Sequence, residues 1–296
     1  GDGVTNDTGV LDVRAHPDDP PEDGFQLVTP EYTVPPNSDK MFCFFGTYEG
    51  PDVGVNFYQW FQDDQFGHHM MLLDAYDGED VPDGTVLDCD GQSVMALRPL
   101  LEANELLGEI SGRMVLNDGL AVRLKSGQRW AMQSHYVNWS DRELLVQDAI
   151  NLGTVPVEEV EHWVGTWSFN TSVFELPPHE ETQLTFTCPW PSDVSVLHMM
   201  GHMHDYGTAI RVTHDTPAGS TEVYALPAWD PAWQQQPRLV SYAAGELMPR
   251  AGDSFTPTCD PHTPPAASIG FPTGRCVAAG LAWPLDTPLH CDAGYP

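Results

Sequence analysis

The chain has 296 residues, with 43 acidic and 12 basic side chains and a formal net charge of −31. This length suits two domains or one large one. A surface so acidic repels nucleic acid and anionic membranes, and there is no run of about 18 apolar residues that would predict a membrane span. We therefore expect neither a nucleic-acid partner nor a membrane-spanning segment.

Residues 1–24 differ in composition from the rest of the chain. They are acidic, rich in Pro and Gly, and poor in large apolar side chains. Such a segment cannot bury enough apolar surface to hold one conformation. We interpret it as a flexible acidic linker, exposed by processing or trimming.

From Phe25 onward, short apolar runs alternate with Pro, Gly, Asp and Asn, a pattern that predicts strands at close spacing. One segment, Ala96 to Ile110, has the apolar spacing of a helix. The pattern favours an all-β fold made of antiparallel β-sandwiches. The best boundary lies near residues 155–165, which gives an N-terminal sandwich over residues 25–160 and a C-terminal sandwich over residues 161–296.

Six cysteines are spread through the chain with no C-x-x-C pair, which disfavours a zinc ribbon or a thioredoxin motif. An even number at wide spacing fits three disulfides formed in an oxidising compartment. The alternative is a set of free, buried thiols in a cytosolic protein. The cysteines are Cys43, Cys89, Cys188, Cys259, Cys276 and Cys291.

Histidines in apolar strands are the candidate functional residues, because a histidine inside a strand needs a polar partner. Six have this setting: His68, His69, His135, His198, His202 and His204. The other six lie in Pro-rich or charged surroundings. Five of these are expected to face solvent, while His262 is kept as a possible ligand; the six are His16, His162, His179, His214, His262 and His290.

The spacing within the two histidine groups has different consequences. His202 and His204 occupy alternate positions of a strand, so both imidazoles lie on one face and can hold a metal ion. His68 and His69 are adjacent, so they would lie on opposite faces. They can share one ion only if the backbone kinks or if they use different ring nitrogens.

Five segments, in order along residues 25–291, resemble the copper type II, ascorbate-dependent monooxygenases, the family of peptidylglycine α-hydroxylating and dopamine β-monooxygenases. They resemble its opening strand pair, its His-His motif, its Gln-x-His-Tyr strand (with Gln133 as the glutamine), its His-x-His strand and its closing segment. In this chain they read "TPEYTVPPNSDKMFCFF", "GHHMMLL", "GLAVRLKSGQRWAMQSHY", "GHMHDYGTAIRV" and "AGDSFTPTC" followed by "IGFPTGRC".

The resemblance implies two antiparallel, jelly-roll-like β-sandwiches in tandem, each with a copper site. By its motifs His68, His69 and His135 hold the first copper, which relays electrons. His202 and His204 hold the second, where O2 binds and a substrate C–H bond is hydroxylated with ascorbate as electron donor. Imidazole suits copper in both oxidation states. The resemblance also implies the disulfides Cys188–Cys291 and Cys259–Cys276, leaving Cys43 and Cys89 to pair.

The sequence departs from the family at the second copper site. The family has a methionine ligand before the cysteine of the closing segment, where this chain has Arg275, which stays protonated and cannot ligate. Because this third ligand is missing, we expect a divalent ion to bind the His202–His204 pair more weakly than the first site. The peptide-hydroxylating enzymes also bind a substrate carboxylate through an arginine at the position of Met200, so we do not expect a C-terminal peptide substrate. Possible replacement ligands are Met199, Met200, Met203, Met248, His198 and His262.

Two functions follow from these residues. One is a secreted, periplasmic or cell-surface copper monooxygenase that hydroxylates an unidentified small molecule or peptide. The other is a non-catalytic relative that binds one or two copper ions, mainly at the three-histidine site, as a carrier, sequestering or structural module. A β-sandwich binding module without metal is the third alternative.

Overall fold

The computed structural model describes residues 9–75, 81–89, 98–101, 112–171, 175–176, 183–204, 206–234, 237–262, 269–270 and 275–293. These residues form β-strands with two short 3-10 helices, and none of them belongs to an α-helix. The chain divides into two compact units, Gly1–Trp163 and Val164–Pro296. The predicted all-β fold of tandem antiparallel sandwiches is confirmed, and the division falls three residues after the predicted boundary.

The N-terminal unit contains thirteen strands among its described residues. They are β1 Leu11–Asp12, β2 Gly24–Val28, β3 Tyr32–Val34, β4 Ser38–Thr47, β5 Val53–Phe61, β6 Gly67–Asp74, β7 Val86–Asp88, β8 Arg98–Pro99, β9 Arg113–Val115, β10 Leu120–Leu124, β11 Arg129–Asn138, β12 Leu144–Val146 and β13 Ala149–Pro156; a 3-10 helix, Val157–Glu159, follows.

Three sheets build this unit. The sheet that carries the first histidine group has the order β7-β4-β11-β6-β8, and a second has the order β2-β13-β5-β10 with β9 beside β5. A small third sheet has the order β1-β12-β3. From Ser134 to Val137, buried and partly buried side chains alternate along β11, as expected for a strand with one face in the core. Met132, Ser134 and Tyr136 are buried in the core, while His135 and Val137 are only partly buried.

The predicted linker is wrong for residues 9–24, which the structure describes as attached to the N-terminal unit. Strand β1 pairs in parallel with β12, and the Val13 N–H donates to the Leu145 carbonyl at 3.0 Å. Leu11 and Val13 pack on a buried cluster that includes Tyr136. The few apolar residues of an otherwise acidic segment are therefore enough to anchor it. Residues 1–8 lie outside the described part.

The predicted helix from Ala96 to Ile110 finds no support in the four residues of it that the structure describes, 98–101. Arg98–Pro99 forms β8, which pairs with the end of β6. Leu100 and Leu101 are buried. The remainder of the segment lies outside the described residues.

The C-terminal unit repeats the sandwich plan. Its sheets have the orders β14-β24-β18-β21 with β25 beside β14, β16-β22-β19-β20 with β17 beside β22, and β15-β23. The strands are β14 His162–Asn170, β15 Glu175–Leu176, β16 Leu184–Thr185, β17 Cys188–Pro189, β18 Ser195–Met203, β19 Gly207–Thr216, β20 Gly219–Leu226, β21 Leu239–Ser241, β22 Ser254–Pro261, β23 Ile269–Gly270, β24 Cys276–Trp283 and β25 Leu289–Asp292; a 3-10 helix, Pro231–Gln234, precedes β21.

Aromatic side chains from both main sheets fill the core of this unit. Trp167, Phe169, Trp190 and Phe255 are at most 1% exposed, and their ring centroids lie 5.1 to 6.3 Å apart. Such large side chains give most of the apolar area that holds two sheets together.

Disulfides join all six cysteines, so the predicted oxidised state and the three implied pairings are confirmed. The pairs are Cys43–Cys89, Cys188–Cys291 and Cys259–Cys276. The last of these links β22 to β24 and thereby ties the two main sheets of the C-terminal unit. The described residues include no helix that could cross a membrane.

Candidate metal centre

Strands β6 and β11 bring three histidines together at one end of their sheet. His135 on β11 pairs directly with His69 on β6, but the next residue, Tyr136, pairs with Gly67. His68 is therefore the extra residue of a β-bulge, which bends the strand. The bend removes the strict alternation of adjacent side chains. This is the kink that the sequence required if His68 and His69 were to share an ion.

The turn before β6 builds the bulge. The Asp63 carboxylate accepts hydrogen bonds from the Gln65 and Phe66 N–H groups, at 3.0 and 2.7 Å. The Gly67 N–H donates to the Asp63 carbonyl at 3.0 Å, and a Cβ on Gly67 would overlap that carbonyl oxygen. Gln62 is buried, and its amide donates to the carbonyls of His69 and His135 at 3.4 and 3.2 Å. The backbone of both histidine strands is therefore held at the bulge.

The spacing of the three rings fits a single metal ion. His69 Nδ1 lies 3.1 Å from His68 Nδ1 and 3.4 Å from His135 Nδ1. An ion with bonds of about 2.0 Å to imidazole nitrogens in tetrahedral geometry separates those nitrogens by about 3.3 Å. Of the residues that the structure describes, only these three form a group of three or more His, Cys, Asp or Glu whose ligand atoms all lie within 4.8 Å of one another.

The outer nitrogens of two rings fix which inner nitrogens carry lone pairs. His135 Nε2 lies 2.5 Å from Asp39 Oδ1, and His69 Nε2 lies 3.3 Å from Gln133 Oε1. A carboxylate oxygen and an amide oxygen only accept, so both Nε2 atoms donate. In the neutral rings both Nδ1 atoms are then unprotonated, with lone pairs 3.4 Å apart. A cation between them turns this repulsion into coordination.

The third ring is held in the form that a metal needs. Burial and, next, the charge of His135 lower the pKa of His68 to about 4, although Asp39 opposes the shift. His68 is therefore neutral at pH 7, and a neutral imidazole can bind a metal without first losing a proton.

Replacing Asp39 by Ala is expected to weaken metal binding at this centre by about 10- to 100-fold, because the His135 ring loses the acceptor that orients it. Asp39→Asn keeps an acceptor without the charge and should lie between the parent and the alanine variant. A copper competition titration measures the effect. The control is Asp64→Ala, which removes an exposed negative charge from the turn nearby. If Asp39→Ala and Asp64→Ala lose the same copper affinity, then Asp39 acts only through the overall charge of the protein and does not orient the His135 ring.

A buried carboxylate lies on the opposite face of β11, under the centre. Asp148 accepts hydrogen bonds from Tyr136 at 2.5 Å, from Tyr32 at 3.1 Å and from Ser134. Burial raises the pKa of Asp148 to about 6 against the lowering effect of these three hydroxyls. Because the folded pKa exceeds the unfolded one, this group stabilises the fold below about pH 4 and loses that contribution as the pH rises to about 6.

Asp148→Asn should therefore gain stability relative to the parent as the pH rises from 4 to 7. A shift from 3.8 to about 6 corresponds to at most about 3 kcal/mol in the free energy of unfolding. Urea unfolding of both proteins across this range measures the difference, and Asp118→Asn controls for loss of an exposed charge. A difference between parent and Asp148→Asn that does not change with pH would contradict the prediction.

The second predicted pair lies at the end of β18, in the C-terminal unit, where His202 is within the strand and His204 follows its last residue, Met203. The ring centroids of His202 and His204 are 5.1 Å apart, as expected for alternate positions on one face. Burial first, then the charges of His204 and Arg275, lower the pKa of His202 to about 3. The Arg275 guanidinium is therefore close enough for its charge to act on His202.

No third His, Cys, Asp or Glu among the described residues completes the second pair, and the possible replacement ligands have different surroundings. His262 lies near the end of this strand, since its N–H donates to the Tyr206 carbonyl at 2.7 Å, but it does not join a three-residue ligand group within the described chain. Met199 and Met203 are buried in the apolar core, and Met248 is 57% exposed. His198 is buried in β18 four residues before His202. Met200 is partly buried and pairs with Leu239 and Ala279.

The interpretation of His214 as solvent-facing is wrong. Its Nε2 lies 2.9 Å from Asp253 Oδ2, and both side chains are mostly buried, at 15% and 11% exposed. The Phe255 ring packs on the imidazole. The sequence gives no local signal for this pair, because its members lie on β19 and just before β22, 39 residues apart.

No family model and no curated protein matches the chain. Among solved structures, it is similar to a chain of the triple jelly-roll turret assembly of an archaeal virus, with 9% identity and a TM-score of 0.26, over 91% of this chain and 62% of that chain. It is also similar to the VP2 subviral particle of infectious bursal disease virus, with 9% identity, a TM-score of 0.24, and coverage of 92% and 74%. It is also similar to the PBSX exported protein XepA, with 10% identity and a TM-score of 0.20, over 88% of this chain and 87% of that chain. The chain thus spans less than two thirds of the first of these, and similarity at this level says nothing about function.

Proposed function

We propose that the protein binds one copper ion through the Nδ1 atoms of His68, His69 and His135. The observation that carries the proposal is the 3.4 Å approach of the Nδ1 atoms of His69 and His135, in two rings that each have a hydrogen-bond acceptor at Nε2. Hydrogen-bonded neutral imidazoles of this kind are typical metal ligands.

The surroundings favour copper over other metals that bind imidazole. Met41 pairs with His135 across β4 and β11, and Met71 follows His69 by two residues on β6, so both thioethers lie on the histidine face of the sheet. Soft thioethers suit Cu(I), whereas a carboxylate-rich site would suit harder ions. The resemblance of this segment to a copper-binding family points the same way.

The residues around the ion would do three things. Asp39 and Gln133 hold two rings in the tautomer that ligates, Gln62 holds the backbone of both strands, and burial keeps His68 neutral. Bound copper supplies one-electron exchange between Cu(I) and Cu(II). Three imidazoles can bind both Cu(I) and Cu(II), so a change in the oxidation state of the copper would not require a change of ligands.

The finer proposal is that of the family: a monooxygenase that takes electrons from ascorbate and hydroxylates a small molecule or peptide. The observation that favours it is the second imidazole pair, His202 and His204, whose ring centroids lie 5.1 Å apart at the end of β18. The alternative is a non-catalytic copper carrier, sequestering or structural module. Three disulfides suit a secreted, periplasmic or cell-surface protein, which we propose for either function.

Metal analysis combined with ascorbate-dependent oxygen uptake on the same sample tests the proposal. One tightly bound copper without uptake supports the binding function, and two coppers with uptake support the monooxygenase. A protein that binds no copper at micromolar concentration in either oxidation state would refute both.

A further inference from the structure

The two residues that flank His135 on β11 are held from behind by one carboxylate. Ser134 and Tyr136 are buried on the core face of the strand, and both hydroxyls donate to Asp148, that of Tyr136 at 2.5 Å. Because neighbouring residues of a strand point to opposite faces, these bonds hold β11 from the face opposite to the His135 imidazole. A shift of the carboxylate would therefore move the backbone that carries this ligand.

Asp148 is itself fixed in the core. Its N–H donates to the Thr29 hydroxyl at 2.9 Å, and its carbonyl accepts the Thr29 N–H, also at 2.9 Å. A third hydroxyl, that of Tyr32, donates to the carboxylate at 3.1 Å. Asp148 and Thr29 are both buried. The carboxylate is thus a fixed point to which β11 is attached.

A second route leads from the same carboxylate to both ligand strands. The Gln62 amide donates to the Ser134 hydroxyl at 3.4 Å, and to the carbonyls of His135 and His69 at 3.2 and 3.4 Å. One chain of hydrogen bonds therefore runs from Asp148 through Ser134 and Gln62 to the backbone of two ligands. Buried polar networks of this kind restrict the groups that they join to one arrangement.

The charge of Asp148 also acts on an ion at the centre. Burial raises the pKa of Asp148 to about 6, although the three hydroxyls that donate to it oppose the shift. The carboxylate is therefore mostly ionised at pH 8. A buried negative charge attracts Cu(II) more strongly than Cu(I), because the two ions differ by one unit of charge. It thus lowers the reduction potential of a copper ion bound nearby.

We propose that Asp148 is a positioning residue of the three-histidine centre, which fixes where His135 and His69 lie and favours Cu(II) over Cu(I). It does not ligate the ion, and it acts from the core through Ser134 and Tyr136 and through its charge. The effect on copper rests on the function proposed above, whereas the effect on the rings does not. Asp148 thereby sets both the affinity and the reduction potential of the centre.

Ser134→Ala tests the positioning, because it removes one of the two bonds that hold β11 and the link to Gln62 while the carboxylate remains. The affinities for Cu(I) and Cu(II) should both fall about three- to tenfold, with a changed electron paramagnetic resonance spectrum of the Cu(II) form. Tyr32→Phe is the matched control. It takes another hydroxyl from Asp148 without altering β11, so it should change both quantities less. Equal effects of the two variants would overturn the positioning role.

Asp148→Asn tests the charge at pH 8. The affinity for Cu(II) should fall about three- to tenfold more than the affinity for Cu(I). The reduction potential of the bound copper should then rise by about 30 to 60 mV. Asp118→Asn removes an exposed charge and should leave the potential unchanged. Equal losses for the two oxidation states in folded Asp148→Asn would overturn the charge effect.

The metal-free protein separates this inference from the proposed function. Imidazole nitrogen-15 resonances of the parent should show His69 and His135 with the proton on Nε2. Ser134→Ala should shift or broaden these resonances, and Tyr32→Phe should shift them less. If the parent binds no copper, the proposed function fails, yet this measurement still decides whether the rings are positioned from the core. Unchanged resonances in a Ser134→Ala protein whose near-ultraviolet circular dichroism matches the parent would refute the inference.

Discussion

His135→Ala is expected to lower the copper affinity of the three-histidine centre by more than about 100-fold. His135 is the one ligand that comes from β11, and its removal leaves two adjacent imidazoles on the bulge of β6. Loss of an outer-shell partner alone costs about 10- to 100-fold in affinity, and loss of a ligand should cost more. Competition against a chelator of known copper affinity, for both Cu(I) and Cu(II), measures the change.

His162→Ala is the matched control for this measurement. It removes an exposed imidazole at the start of β14, outside the three-histidine group, so copper affinity should stay within error of the parent. The assignment of the centre is wrong if His135→Ala and His162→Ala retain the same tight equivalent. An unchanged unfolding temperature of metal-free His135→Ala would show that a lost ion, and not a lost fold, explains the result.

Part of the candidate site could be predicted because side chains alternate between the two faces of a strand. Alternation alone places His202 and His204 on one face, and the rings do lie side by side. Alternation also places His135 on the face of β11 opposite to Ser134 and Tyr136, as found. The disulfide pairs were available only through the resemblance, because six cysteines allow fifteen pairings.

Other features depend on register between distant strands and could not be predicted from local sequence. The bulge at His68 arises from the pairing of β6 with a strand more than sixty residues later, and Asp39 is 96 residues from the ring that it orients. Likewise, the register of β18 with β24, in which Met203 lies opposite Cys276, brings together residues more than seventy positions apart in the sequence.

Gly67→Ala should weaken both the fold of the N-terminal unit and its copper binding. A Cβ at this position would overlap the backbone oxygen of Asp63 and the side chain of Gln62. The oxygen belongs to the turn that sets the bulge and cannot move without changing the position of His68. Overpacking of this kind costs roughly 1–3 kcal/mol in the free energy of unfolding. Displacement of a ligand by a fraction of an ångström should add a loss of about tenfold or more in copper affinity.

Gly153→Ala separates these two effects. Gly153 also lies at a register shift, between β13 and β5, but a Cβ there would meet the Phe57 side chain at 3.0 Å. This approach is longer than the 2.3 Å approach to the Asp63 carbonyl oxygen at Gly67. Gly153→Ala should therefore destabilise the unit less, and it should leave copper affinity unchanged because β13 carries none of the three histidines. Urea unfolding of the metal-free proteins and copper competition on the folded ones measure the two quantities separately. If Gly67→Ala loses stability but binds copper like the parent, then the bulge is a requirement of the fold and does not position the ligands. If it loses affinity while Gly153→Ala does not, the close approach of Gly67 to Asp63 is what places His68 and His69 on one ion.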